Sequence, residues 1–232
     1  MLLILLLACI DPADKVEDST ADSGPTLPAP EELYGVLNVD GTGWDWEPRE
    51  TWVRLHFERG ELPLTEAGDC YRFSASTYDD YFYVSGGDLE LTLDGEPFLG
   101  QVDDWPAGRQ VSVRASGDLF PEFDLGEGVA TPEWVDVSVD QEASTYGEFL
   151  NVSWAPAATG WVEVRVAERS DPESTSQLVC VFPASAGSAR VFADDKTTLW
   201  TASFVTEVLL PLPPTQGILV RFETGLVGEP LE

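Results

Sequence analysis

Basic residues are scarce in this sequence: 12 Lys and Arg stand against 42 Asp and Glu, a formal net charge of -30 over 232 residues. That balance excludes nucleic acid as a partner, because neutralising phosphates takes clustered cations, and the only lysines are Lys15 and Lys196. Histidine occurs once, as His56, and cysteine three times, as Cys9, Cys70 and Cys180. Those residues are scattered, with no C-x-x-C or H-x-x-x-H spacing, so no metal site and no cofactor are expected. Neither Gly-x-Ser-x-Gly nor Ser-x-x-Lys is present, and no catalytic residue is nominated. His56 falls on the polar side of an alternating run and reads as an exposed strand histidine. The expectation is a protein that is not an enzyme.

What is present begins at the N-terminus. Leu2 to Ala8 is an apolar run of seven residues, far short of the roughly 20 needed to span a bilayer. It closes on Leu6-Leu7-Ala8-Cys9 and is followed at once by polar chain. This pattern resembles the lipobox of bacterial lipoproteins, which implies a signal peptide over 1–8 and lipidation of Cys9. The same resemblance, with Ile10 rather than Asp after the cysteine, implies sorting to the outer membrane of a Gram-negative cell, facing the periplasm or the surface. Acyl chains on Cys9 would anchor the protein, each buried CH₂ contributing ~0.8 kcal/mol. Residues 9–33 then form an acidic, Pro- and Ser-rich stretch; from Ile10 to Leu33 it carries seven acids and one Lys. It cannot bury enough apolar area to offset its ordering entropy and reads as a solvated tether.

From residue 34 onward the pattern has period two. Val53, Leu55 and Phe57 alternate with Arg54, His56 and Glu58; Tyr71, Phe73 and Ala75 with Arg72 and Ser74. Leu89, Leu91 and Leu93, Val111 and Val113, Val135, Val137 and Val139, and the run Trp161 to Glu168 repeat the alternation. Half-buried antiparallel strands follow, with one helical turn expected near Asp194 to Leu199. The fold class is all-β. Pro121 to Pro132 is rich in Gly and Pro and divides the chain into two expected β-sandwich domains, 34–130 and 131–232, with a single large sandwich as the alternative. Leu150-Asn-Val-Ser-Trp154 and Trp161-Val-Glu-Val-Arg-Val166 make the second half similar to an immunoglobulin or fibronectin type III sandwich. Lipobox, acidic tether, β-rich halves and the stretch Cys180 to Ser188 together resemble acidic β-sandwich lipoproteins of Gram-negative bacteria, a group with no assigned activity to carry over.

If Cys9 takes lipid, Cys70 and Cys180 remain and either pair as a disulfide clamping the halves or stay as two buried thiols. Asn38, Asp40, Gly41, Thr42 and Glu47 match part of a calcium loop, but Val36 stands where the first ligand belongs, so the segment reads as a turn. Asp79-Asp80, Asp103-Asp104 and Asp194-Asp195 read as solvated turns. The eight Trp include Trp44 and Trp46, which share a face if the chain is extended there and could stack on sugar rings. The leading expectation is a lipid-anchored envelope protein with a structural or interaction role, its partner the membrane through the anchor and an envelope protein or glycan. A glycan-binding module using Trp44 and Trp46 is the alternative, and an envelope-acting hydrolase using carboxylates the weaker one.

Overall fold

The computed structural model describes residues 29–44, 51–60, 68, 70–76, 84–97, 101–102, 107–171 and 174–231. The leader, Cys9, Trp46, Asp79-Asp80 and Asp103-Asp104 lie outside the described residues. The chain is all-β: among the described residues the only helical turns are short 3-10 turns at Pro30–Glu32 and Ala184–Ala186. Strands β1 to β9 are Leu33–Trp44, Thr51–Arg59, Cys70–Ser76, Leu89–Leu93, Glu96–Pro97, Gln101–Val102, Gln110–Ala115, Phe123–Asp124 and Val129–Ala130. Strands β10 to β16 are Val137–Ser144, Gly147–Trp154, Trp161–Asp171, Ser174–Pro183, Ser188–Asp194, Thr197–Leu210 and Gly217–Gly228.

Eight strands form one large sheet in the order β3-β13-β12-β15-β16-β1-β2-β6. Two smaller sheets lie against it: a five-stranded one, β5-β4-β7-β8 with β9 also paired to β7, and a three-stranded one, β10-β11-β14. Alternation sends Ile218, Val220, Phe222 and Leu226 of β16 to the same face of the large sheet. The first three pack with Leu37, Val39, Phe57, Val113, Phe120 and Phe123 beneath the five-stranded sheet. Leu226 packs instead with Leu150, Trp154, Val164, Trp200 and Phe204 beneath the three-stranded one. Two cores therefore sit side by side on one face of one sheet.

This arrangement corrects two expectations. The boundary at 130/131 separates the small sheets but not the large one, which takes β1, β2, β3 and β6 from one side of it and β12, β13, β15 and β16 from the other. The sheet is also not wholly antiparallel, because β1 runs parallel to β16 from Tyr34↔Gly217 to Trp44↔Val227. No short hairpin connects these two strands, so turn geometry does not impose an antiparallel pairing on them.

Local signals were overridden in two more places. The Asn38-to-Thr42 segment is interior to β1, paired to β16 on one side and, as far as Asp40, to β2 on the other. There the Asp40 Oδ1 atom accepts hydrogen bonds from the Thr42 amide at 2.9 Å and the Thr42 hydroxyl at 2.6 Å. Near Asp194 the chain makes a tight turn that carries it from β14 in the three-stranded sheet to β15 in the large sheet, rather than a helical turn, with the Lys196 amide donating to Asp194 Oδ1 at 2.9 Å. One glycine is dictated by packing: Phe57 stacks on Phe120 with centroids 4.3 Å apart, and a Cβ on Gly86 would fall 2.0 Å from the Phe57 ring.

Cys70 and Cys180 are directly opposite in the β3–β13 register and are joined as a disulfide, Cα to Cα 4.0 Å, across 110 residues of sequence. The bond holds edge strand β3 to the sheet. Closing so long a loop removes unfolded-state entropy corresponding to about 4–5 kcal/mol by the chain-entropy model. A Cys70→Ala/Cys180→Ala variant is expected to lose stability of that order in guanidinium unfolding, and the wild type to lose as much under reductant.

Candidate functional site

The alternation that buries Val162, Val164, Ile218 and Val220 sends Glu163, Arg165, Arg221 and Glu223 to the other face of the large sheet. Strand order then brings β12, β15 and β16 together, so that Glu207 is directly opposite Arg221 and Ser203 opposite Glu163. The result is a lattice of three carboxylates and two guanidiniums. Arg221 is its hub: Nη2 reaches Glu163 Oε2 at 3.0 Å, Nη1 reaches Glu207 Oε1 at 3.0 Å, and Nε reaches Glu223 Oε2 at 3.2 Å. Arg165 donates from Nε to Glu163 and lies with Nη2 3.6 Å from Glu223 Oε2. Glu163 and Glu223 are buried, the Arg221 side chain is 12% exposed, and Arg165, at 37%, is the edge of the lattice that meets solvent.

Burial alone would raise the Glu223 carboxyl, but Arg165 and Arg221 outweigh it and hold it below the ordinary value of 4.5. Burial would likewise lower both guanidiniums, yet Glu223 and Glu163 keep Arg165 and Arg221 above their usual range. Tyr71 of β3 is pushed up, by burial first and by the charge of Glu163 second. Around the lattice the Asn38 Oδ1, Thr201 Oγ1 and Trp161 Nε1 atoms are buried without a hydrogen-bond partner. A general acid for glycoside cleavage needs a carboxyl held protonated at working pH. Glu223 is held in the opposite state.

A second cluster lies further along the same face. Tyr34 is opposite Glu58, and Val36 opposite His56, in the β1–β2 register. The Tyr34 hydroxyl donates to Glu58 Oε2, and His56 Nε2 lies 3.0 Å from Glu58 Oε1. Burial would raise the Glu58 carboxyl, but hydrogen bonds from His56 and Tyr34 bring it below its usual value. His56 is thus not the exposed strand histidine expected from alternation; its side chain is one-third exposed and engaged with a buried carboxylate.

Of the residues singled out by sequence, Trp44 is the last residue of β1, its backbone opposite Val227. In the sequence each member of the charged lattice neighbours a valine or phenylalanine and reads as the wet side of a strand. One signal was available: Glu163-Val-Arg165 and Arg221-Phe-Glu223 carry opposite charge orders, which are complementary on strands running the same way, as β12 and β16 do on either side of β15. On the five-stranded sheet, a hollow of about 580 Å³ is lined by Thr92, Asp94, Gln110, Ser112 and Glu127 with three glycines. Its polar atoms are largely engaged already, since Asp94 binds the Gln110 amide and Arg109, and Ser112 donates to the Gly126 carbonyl. Comparison with known protein families matches none of them, and comparison with curated proteins gives no match either.

Removing one partner of a buried ion pair leaves uncompensated charge, at a cost of about 3–5 kcal/mol. Arg221→Ala, which takes a cation from three carboxylates and leaves Glu163 and Glu223 to share Arg165 alone, is expected to lose stability of that order in denaturant unfolding. Arg221→Lys is not expected to restore it, because a compact ammonium cannot serve three carboxylates as the guanidinium does. The sign of the pH effect follows from Glu223. Its folded pKa lies below the ordinary 4.5, so its contribution is complete above that pH and lost as pH falls through the folded value. Arg221→Ala removes a cause of that depression, so its acid unfolding midpoint should move to higher pH.

Proposed function

We propose that this is a non-enzymatic cell-envelope protein, exported, anchored at the outer membrane through lipid on Cys9, and serving a structural or interaction role there. One observation supports the reading most. With Cys70 and Cys180 joined, the one cysteine of the sequence left over is Cys9, at the end of the apolar run where a lipobox places it. A disulfide closing 110 residues of chain suits an oxidising compartment such as the periplasm or cell surface. The charged lattice fits the same role, since its carboxylates neutralise arginines rather than standing ready to transfer protons.

Metabolic labelling with a palmitate analogue in a Gram-negative host tests it, followed by membrane fractionation. Label in the wild type that is lost in Cys9→Ala, and that travels with the outer membrane, is the expected result. Unlabelled, soluble wild-type protein would overturn the anchored reading.

A further inference from the structure

The outer face of the β10-β11-β14 sheet is a three-by-three grid set by register. One row is Glu142, Phe149 and Phe192, the next Asp140, Asn151 and Arg190, and the third is all serine, Ser138, Ser153 and Ser188. These side chains face away from the core, because Leu150, Val152, Val191 and Ala193 take the inward positions between them. With strands about 4.8 Å apart and alternate residues about 6.8 Å apart, the grid is roughly 10 by 14 Å, room for a short oligosaccharide.

The grid is ordered before any ligand arrives. The Arg190 guanidinium lies 3.8 Å from the Phe149 ring centroid, and its Nη2 donates to Glu142 Oε2 at 2.8 Å. Asn151 Nδ2 approaches the same oxygen at 3.4 Å, and Phe149 meets Phe192 with centroids 5.2 Å apart. These groups nevertheless remain open to solvent. The side chains of Arg190 and Glu142 are 50% and 59% exposed, Phe192 is 40% exposed, and Tyr146, in the β10–β11 turn at the aromatic end, is 76% exposed.

We infer that this face is a binding platform for a neutral glycan chain. It deepens the interaction role proposed above, and it does not depend on the anchor. Each hydroxyl of a sugar's vicinal diol both donates and accepts, so it needs acceptor and donor groups side by side. Asp140 and Glu142 supply carboxylate oxygens beside the planar N–H groups of Arg190 and the amide of Asn151. Phe192 and Tyr146 offer aromatic surface for the apolar C–H face of a pyranose. Charge selects against the other polymers of an envelope. The grid holds two carboxylates and one guanidinium on a chain of formal charge -30, which repels phosphate- or carboxylate-bearing glycans.

The test is calorimetric titration of full-length Cys9→Ala protein, free of lipid, with cellohexaose, xylohexaose, maltohexaose and chitohexaose. At least one is expected to bind saturably. Arg190→Ala and Phe192→Ala should each weaken it by roughly tenfold or more, equivalent to about 1.4 kcal/mol, with unfolding transitions like that of the parent. If Arg190→Ala does not fold, Arg190→Lys carries the same expectation, since it keeps the charge without the planar fork. Trp44→Ala with Trp46→Ala should leave this binding unchanged. No binding of any of the four sugars would overturn the proposal. So would binding that ignores both grid substitutions and vanishes with the two tryptophans. Neither result bears on lipid labelling of Cys9, which judges the anchor separately.

Discussion

The parallel pairing of β1 with β16 is the contact on which the remaining architecture rests. It joins the first strand described to the last over eleven register pairs, from Tyr34↔Gly217 to Trp44↔Val227. Without it the large sheet would divide into β2 and β6 with β1 on one side and β3, β13, β12, β15 and β16 on the other. The core beneath β4 and β7 would also lose part of its floor. Ile218, Val220 and Phe222 belong to a strand of the second half, yet they complete the core built by the first. The two sandwiches are therefore not neighbours linked by a hinge but two lids on one sheet.

The same seam explains the charged lattice. Arg221 and Glu223 are on β16, in the middle of the large sheet, where edge-strand solvation is not available. Charges so placed persist only when paired, and here one guanidinium contacts three carboxylates. The chain's acidity of -30 thus has two components. Among the described residues most Asp and Glu side chains are not buried. A small buried part is tied to arginine and sets how the sheet responds to acid.

Period-two alternation made the strands legible. Phe57 on β2, Val111 and Val113 on β7, and Val162, Val164 and Val166 on β12 all took the buried positions that alternation gave them. Strand pairing was less legible, because period two says which face a residue takes but not which strand lies beside it. Asn38-Val-Asp-Gly-Thr42 carries a strong turn signal, yet pairing on both sides of β1 satisfies the backbone and prevails over local preference. The Tyr71 alternation likewise identified β3, but Cys70, Tyr71 and Arg72 are all exposed at this sheet edge, Tyr71 by 51%, so alternation marks no buried side there. Lattice residues such as Glu163 and Arg221 looked like solvated strand charges because burial there comes from neighbours remote in sequence.

The central claim is that one continuous sheet makes the two sandwiches a single folding unit. Equilibrium unfolding of residues 131–232 expressed alone, followed by tryptophan fluorescence and near-ultraviolet circular dichroism, tests it most directly. Removing β1 uncovers the apolar side chains of Ile218, Val220 and Phe222 and strips β16 of a hydrogen-bonded neighbour. The account predicts a fragment without a cooperative transition. A fragment that unfolds in one sharp step, with the stability of the intact chain, would contradict it.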